Sequence, residues 1–401
     1  MAKIQFVLFD GEERNSLLPF TYTRAIADIR VGILTIKEKW ERLLGTACDI
    51  YAHQYLQRKY PFTPKSDIIY INAAVLPDAD LTDAVANLPL GKGLISDSGK
   101  IIALHPDQGV STLNHLYILS KTTVKQSWPN KISILQHPWN IFTFNGEQIR
   151  QDIKTLKLEP NGEQLSGDNK LLHPENIYIE AGAKATWAML NATDGPIYLG
   201  KDSEIMEGAI IKGSFALGEH ASVKMGAKIY GDTTIGPHSK AGGEIGNSVI
   251  FGYSNKGHDG YLGNSVLGEW CNLGADTNNS NLKNNYSPVK AWSYSAGTEI
   301  STGLQFCGLI MGDHSKCGIN TMFNTGTVVG VSANIYGGGF PPKFIPSFSW
   351  GGAEGLVPYE FEKAIETAAR VMARRGMTLS DQDQQILWQV FEDSSIFRKS
   401  I

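Results

Sequence analysis

From Leu199 to Ile335 an aliphatic or small residue returns at every sixth position: Leu199, Ile205, Ile211, Leu217, Val223, Ile229, Ile235 and Ala241, then Leu267 and Leu273, then Met311, Cys317, Phe323, Val329 and Ile335. Four residues after most of these stands a small residue, as in Ser203, Ala209, Ala221, Ala227, Ser315, Thr321 and Ala333. Neither a helix of period 3.6 nor a simple alternating strand gives this spacing. It predicts a three-sided parallel β-helix in which each hexad is one short strand and a corner, and three hexads close one coil. The aliphatic residue fills the narrow interior and the small one fits the turn. Gly200, Gly218, Gly236, Gly268, Gly312 and Gly330 each follow the aliphatic residue, where the chain approaches itself closely. Their shared register makes them part of the solenoid rather than phosphate loops.

The 401 residues provide for two or three domains. A formal charge of −4 gives no general reason to expect nucleic-acid or membrane partners. No apolar run reaches the eighteen or so residues of a membrane span, and MAKIQFVLFDGEER is too short in its apolar run for a secretory signal. Four scattered cysteines without a C-x-x-C pair fit a reducing, cytoplasmic setting. Cys271 and Cys317 fall at inward hexad positions and read as core thiols.

The chain divides as an α/β domain over 1–157, a polar linker over 158–176, the β-helix over 177–345 and a helical extension over 346–401. Strands are expected at Lys3–Phe9, Asp67–Ile71, Leu94–Ile95, Ile101–Leu104 and Leu116–Leu119, and helices at Ile33–Leu44 and Glu147–Leu156. This alternation suggests a largely parallel sheet. The solenoid, starting near Ile177, would hold roughly nine coils and reach on the order of 40 Å. Its period slips between Ala241 and Leu267 and vanishes from Asn278 to about Leu309, the places where a solenoid puts protruding loops. Helices are expected at Pro358–Arg375, with Gly376 as the stop, and at Asp381–Phe391 with Ser380 as N-cap. Arg370, Arg374 and Arg375 read as a solvated face, with a ligand phosphate as the alternative.

The polar residues concentrate where the period breaks. Gly257-His258-Asp259-Gly260-Tyr261-Leu262-Gly263 is followed by Asn272-Leu273-Gly274-Ala275-Asp276-Thr277 and then Asn281. Over these two dozen residues the chain resembles the acetyltransferase domain of the GlmU family, with the same spacing from the histidine to the last asparagine. The resemblance implies a left-handed β-helix, a homotrimer, and transfer of an acetyl group from acetyl-CoA to glucosamine-1-phosphate. It makes His258 the general base, a task suited to a side chain that titrates near neutral pH. Tyr261 would contact the sugar phosphate, and Asn272 and Asn281 would hold sugar hydroxyls or polarise the thioester carbonyl. Acetyl-CoA would lie along the coils near Ala275, Gly318 and Gly337. The family's following lysine is absent, Ser287 standing at that spacing; Lys283 or Lys290 is the substitute, with no signal to choose between them.

The first strand departs from the nucleotidyltransferase pattern G-x-G-T-[RK], since Asp10-Gly11-Glu12-Glu13-Arg14-Asn15 has one glycine and two acids. The stretches Leu18–Arg24 (LPFTYTR) and Arg30–Leu34 (RVGIL) resemble a divergent branch of GlmU-like sugar nucleotidyltransferases. That implies uridylyl transfer from UTP with Mg²⁺. Arg14, Arg24 and Arg30, with Asn72 at the end of a central strand, would take the phosphates, and Asp78 or Asp80 would stand in for the missing metal aspartate. The competing reading pairs these arginines with Asp28 and Glu38 in a degenerate domain that binds a nucleotide without turnover. A non-catalytic scaffold is a further alternative. A metal site on His220, His238 and His314 is disfavoured because the three are placed far apart along the prism and none is at ligand spacing from His258.

Overall fold

The hexad spacing produces the expected object. In the computed structural model, which describes residues 4–399, nine strands from Ile177–Ile179 to Phe344–Ile345 form one face of a solenoid by parallel pairing. Leu199, Leu217 and Ile235 stack in register along it, then Ile250, Leu267, Met311, Val329 and Ile345. A second face runs from Lys184–Ala185 to Ser349–Gly352, and a third from Lys170–Leu172 to Tyr261–Gly263. The inward residues make one continuous apolar core that includes Cys271 and Cys317. All four cysteines are buried and free. Gly236 shows why the corner position excludes a side chain: a Cβ there would lie 1.3 Å from the Phe251 carbonyl oxygen.

Where the period slips, the coils change length. Ser239 Oγ accepts from Ser254 N, 15 residues on, and Ser254 Oγ from Cys271 N, 17 residues on. Ser265 Oγ accepts from Leu309 N across 44 residues. That long excursion carries an antiparallel hairpin, Lys290–Ser293 with Thr298–Ser301. The strand Lys170–Leu172 already pairs with Met189–Asn191, so the expected linker contributes a rung. Ser349–Gly352 likewise extends the second face beyond 345.

Contacts divide the chain into two units. One holds the residues up to Leu17, Arg24–Ile29 and Leu34–His137; the other holds Leu18–Thr23, Arg30–Ile33 and everything from Pro138 on. Among the described residues the first unit has a six-stranded sheet and three α-helices: α1, Ile36–Leu44; α2, Ala79–Ala86; and α3, Leu113–Thr122. Gln5–Phe9 pairs in parallel with Cys48–Tyr51 and Ile68–Asn72, whereas Ile101–His105 is antiparallel to both of its neighbours. The sheet is therefore mixed, not largely parallel. Lys3, expected to open the first strand, lies outside the described residues. The expected strand Leu116–Leu119 is part of α3: Thr112 caps the helix by accepting from His115 N, and an apolar run of four has too little length to separate strand from helix. The helix expected from Ile33 starts at Ile36, where Thr35 and Glu38 form a reciprocal capping box.

By its contacts α4, Asn140–Leu156, groups with the solenoid in the second unit. The reason is a set of buried polar contacts. Asn145 Nδ2 donates to the Asp232 carbonyl, Asn145 Oδ1 accepts from Gly32 N, and Asp152 Oδ2 accepts from Ile33 N. Thr23 Oγ1 likewise donates to Asp313 Oδ2, and Phe20 packs on Phe251 at 5.1 Å between ring centroids. The two stretches that read as a nucleotidyltransferase signature are thus split between units, with Leu18–Thr23 and Arg30–Ile33 packed among solenoid residues. The extension forms α5, Phe361–Ala373, and α6, Asp381–Asp393, whose N-cap Ser380 accepts from Asp383 N. Among the described residues no helix is long and apolar enough to cross a membrane.

Candidate active site

His258 lies at the corner that joins the second face, strand Asn255–Lys256, to the third, strand Tyr261–Gly263. Its side chain is exposed. The corner packs tightly on the coil before it, where Gly242 and Gly243 leave room. A Cβ on Gly243 would sit 2.8 Å from the carbonyl oxygens of both His258 and Gly260.

Next to this corner, on the third face, runs a chain of polar side chains. Tyr230 donates to Glu244 Oε1 at 2.6 Å. Asn281 Nδ2 donates to Tyr261 Oη at 3.0 Å and to Asn264 Oδ1 at 2.8 Å. Tyr261 N is held by Asn278 Oδ1 at 2.8 Å. Two glycines clear the space for the rings: a Cβ on Gly246 would approach the Tyr230 ring to 2.9 Å, and one on Gly263 would lie 2.2 Å from Tyr261 Oη. Burial raises the Tyr261 phenol above its usual range, against the lowering effect of the hydrogen bond from Asn281. Burial and then the bond to Glu244 raise Tyr230 as well. Both phenols therefore stay protonated at neutral pH. Because Asn281 donates to the Tyr261 oxygen, the Tyr261 proton is directed to some other acceptor.

A groove opens here between Tyr261, Asp259, Glu244, Asp276, Lys228 and Asn278. Three carboxylates face one ammonium, so the local field favours a cation.

The residues singled out from the sequence separate into groups. Tyr261 and Asn281 are hydrogen-bonded on the third face, and His258 stands at the corner three residues before Tyr261 without being among the residues that line the groove. Asn272 stands on the second face, exposed and bonded to Asn255 Nδ2 at 3.3 Å. Ala275, Gly318 and Gly337 occupy the same corner in successive coils: Ala275 O accepts from Asn320 N, and the Gly318 position faces Tyr336. Lys283 is tied to the Pro288 carbonyl at 2.9 Å. Lys290 is exposed on the hairpin. Tyr230, Glu244, Asn264 and Lys256 were not legible as site residues. Tyr230 and Glu244 sit on outward positions of ordinary hexads, which carry no mark of function. The outward histidines are not dispersed. His220, His238, Tyr253, Trp270 and His314 stack in one column at successive corners, His220 and His238 at 5.0 Å and Tyr253 and Trp270 at 4.3 Å between centroids. Corners of equal geometry put them in line, so distance along the chain was a poor guide. Among the described residues no cluster of three His, Cys, Asp or Glu side chains suits a metal.

In the first unit a pocket lies at the C-terminal ends of Gln5–Phe9 and Ile68–Asn72, lined by Gly11, Glu12, Glu13, Asn72, Lys100 and Lys121 among others. Asn72 lines it, donating to Glu13 Oε2 at 3.3 Å. Lys100 lies 3.8 and 3.7 Å from the Glu12 and Glu13 carboxylates. Arg14, Arg24 and Arg30 are not among its lining residues. Arg14 donates to Tyr55 Oη at 2.8 Å and stacks over that ring, Arg24 is buried, and Arg30 donates to the Ile33 carbonyl. Asp28 accepts from Tyr60 Oη, and Glu38 is engaged in the capping box. Asp78 caps α2 through Leu81 N, and Asp80 follows in its exposed first turn. Asp10, also at the end of the first strand, is raised to about 6 by burial while it accepts from Ile26 N and His53 N.

The first unit is a mixed sheet with helices and the second a hexad-repeat β-solenoid. Residues 6–160 match the family model described as sugar nucleotidyl transferase. Part of the chain is similar to GlmU proteins. It is 38% identical over 87 residues to the bifunctional protein GlmU of Methanocaldococcus jannaschii, a match covering 22% of this chain and 21% of that protein. It is 37% identical over 95 residues, 24% and 23% of the two chains, to a bifunctional sugar-1-phosphate nucleotidylyltransferase/acetyltransferase of Sulfurisphaera tokodaii. The matches thus span less than a quarter of these relatives. Among solved structures, the UDP-N-acetylglucosamine acyltransferases of Arabidopsis and Campylobacter jejuni align with 58% and 57% of this chain and 91% and 95% of theirs. They do so at 15% and 17% identity and TM-scores of 0.23 and 0.22, too loosely to add to what the strand pairing establishes.

Proposed function

We propose that the solenoid acetylates the amine of a hexosamine-1-phosphate, glucosamine-1-phosphate in the first instance, with acetyl-CoA as donor and His258 as general base. The observation that carries this reading is the exposed imidazole at the corner that leads into the glycine-cleared strand of Tyr261, whose phenol Asn281 holds. An amino sugar arrives largely as its ammonium, which suits a groove of three carboxylates. The ammonium first releases one proton to solvent, which frees the lone pair, and His258 removes a second proton from the nitrogen as it attacks the thioester carbonyl. The C–N bond forms, the tetrahedral intermediate collapses with loss of the C–S bond, and the leaving thiolate of CoA takes the proton from His258. Tyr261 and Asn281 orient the sugar, and corner N–H groups steady the oxyanion. CoA lies along the corner past Ala275 and Gly318 to Gly337. Asn272, Lys283 and Lys290 are given no contact in this scheme, and a site open at a solenoid corner is completed by a neighbouring copy in a homotrimer. A folded His258→Ala protein should lose acetyl transfer by roughly 10²- to 10⁴-fold. Unchanged turnover removes the assignment.

The first unit is proposed to transfer a uridylyl group from UTP, bound with Mg²⁺, to the acetylated sugar phosphate. Here a second reading has its own support. The pocket carries two carboxylates where a triphosphate would be received, its Lys100 is already beside them, and Arg14 is bound to Tyr55. In that reading the unit binds a nucleotide without turning it over. Pyrophosphate release from UTP and N-acetylglucosamine-1-phosphate supports the first; UTP binding without release supports the second.

A further inference from the structure

Lys256 is an anomaly in the solenoid. It pairs with Ala241 in the coil before it and takes an inward position in a column otherwise filled by Leu273, Cys317 and Ile335. The residue is 1% exposed. A leucine or methionine packs such a position without desolvating a charge, so apolar packing gives no reason for a lysine here.

Its ammonium reaches three backbone carbonyls. Nζ donates to Gly242 O at 3.1 Å, to Asp259 O at 3.2 Å and to His258 O. Gly242 belongs to the preceding coil; the other two belong to the corner that presents the imidazole. An ammonium has three donors, and a neutral amine only two and a lone pair. The charged form alone satisfies all three acceptors. The charged and titratable groups facing it are Asp259 on its own corner, Asp276 on the next and the Cys317 thiol on the following coil. Burial, the largest influence, brings the lysine down to about 8, with these three acting to raise it.

We infer that Lys256 is a positioning residue of this site: its buried ammonium clamps the corner 257–260 onto the preceding coil and so fixes the backbone from which His258 projects. The link to catalysis rests on the reading of His258 as the base; the clamp itself does not. The corner stays ordered while the lysine is charged and loosens when the pH passes about 8.

Amide hydrogen exchange over 257–262, referred to amides of neighbouring coils, tests the clamp directly. In Lys256→Met at pH 7 that segment should exchange about 10- to 100-fold faster, the loss expected for bonds to a charged donor. In the unaltered protein the same relative acceleration should appear between pH 7 and pH 9.5, a series that needs no variant. A segment indifferent both to the substitution and to pH overturns the inference; should the variant not fold, the pH series decides it. The kinetic arm tests the link: kcat for acetyl transfer should fall at least about tenfold with KM for acetyl-CoA unchanged. A loosened corner with full kcat refutes the positioning role. If His258→Ala proves fully active, the assignment of the base fails while the exchange result still reads the clamp.

Discussion

The Gly263→Ala substitution tests the polar chain beside His258 with one methyl group. Gly263 lies in the strand Tyr261–Gly263 without a left-handed φ, so alanine meets no backbone strain. Its Cβ would fall 2.2 Å from Tyr261 Oη, 2.5 Å from Tyr261 Cζ and 2.7 Å from Asn281 Nδ2. Ordinary contact begins near 3.4 Å, so the phenol must retreat by about 1.2 Å. A retreat away from Asn281 stretches their 3.0 Å bond beyond hydrogen-bonding range. Overpacking costs about 1–3 kcal/mol and the lost bond about 1 kcal/mol, which together lower the melting temperature without unfolding the solenoid. The larger effect is on orientation: a displacement of about 1 Å in a positioning group costs on the order of 100-fold. Steady-state acetyl transfer with varied amino-sugar phosphate should show kcat/KM for the sugar down by about that factor and KM for acetyl-CoA little changed. Gly257→Ala is the control, since its Cβ meets only Lys240 Cβ at 3.9 Å. A Gly263→Ala protein with normal sugar kinetics refutes the role given to Tyr261 and Asn281.

The ring column makes stability sensitive to acid. Burial, and then the neighbouring His220, lower the His238 imidazole below 6.5 in the folded chain. Below pH 6.5 the unfolded chain binds more protons at this site, so the stability His238 contributes at neutral pH falls as the pH drops from 6.5 through the folded value. Urea midpoints at pH 7.5 and pH 5 should differ less in His238→Gln than in the unaltered protein; an equal difference removes His238 from the account. In the first unit Lys121→Ala should weaken UTP binding several-fold in calorimetric titration if the pocket receives the triphosphate. Unaltered affinity places the nucleotide elsewhere.

The sequence alone determined the solenoid, because a narrow interior demands an apolar residue at a fixed interval and that demand is written as a period. It also marked the corner of His258, Tyr261 and Asn281, since a period interrupted by glycines and polar residues cannot be continuing the core. What the tertiary structure decided lies where neighbours are set by coil length. Coils of 15 and 17 residues turn Lys256 inward and place it under the histidine corner, a position invisible to a count of sixes. Register likewise gathers His220, His238 and His314 into one column. The first unit was less legible for the same reason. Short apolar runs do not say whether Leu116 begins a strand or rides a capped helix, and an arginine does not announce that its partner is Tyr55. Periodicity is a local property of the chain; the partner of a buried charge is chosen by whatever the fold brings across from it.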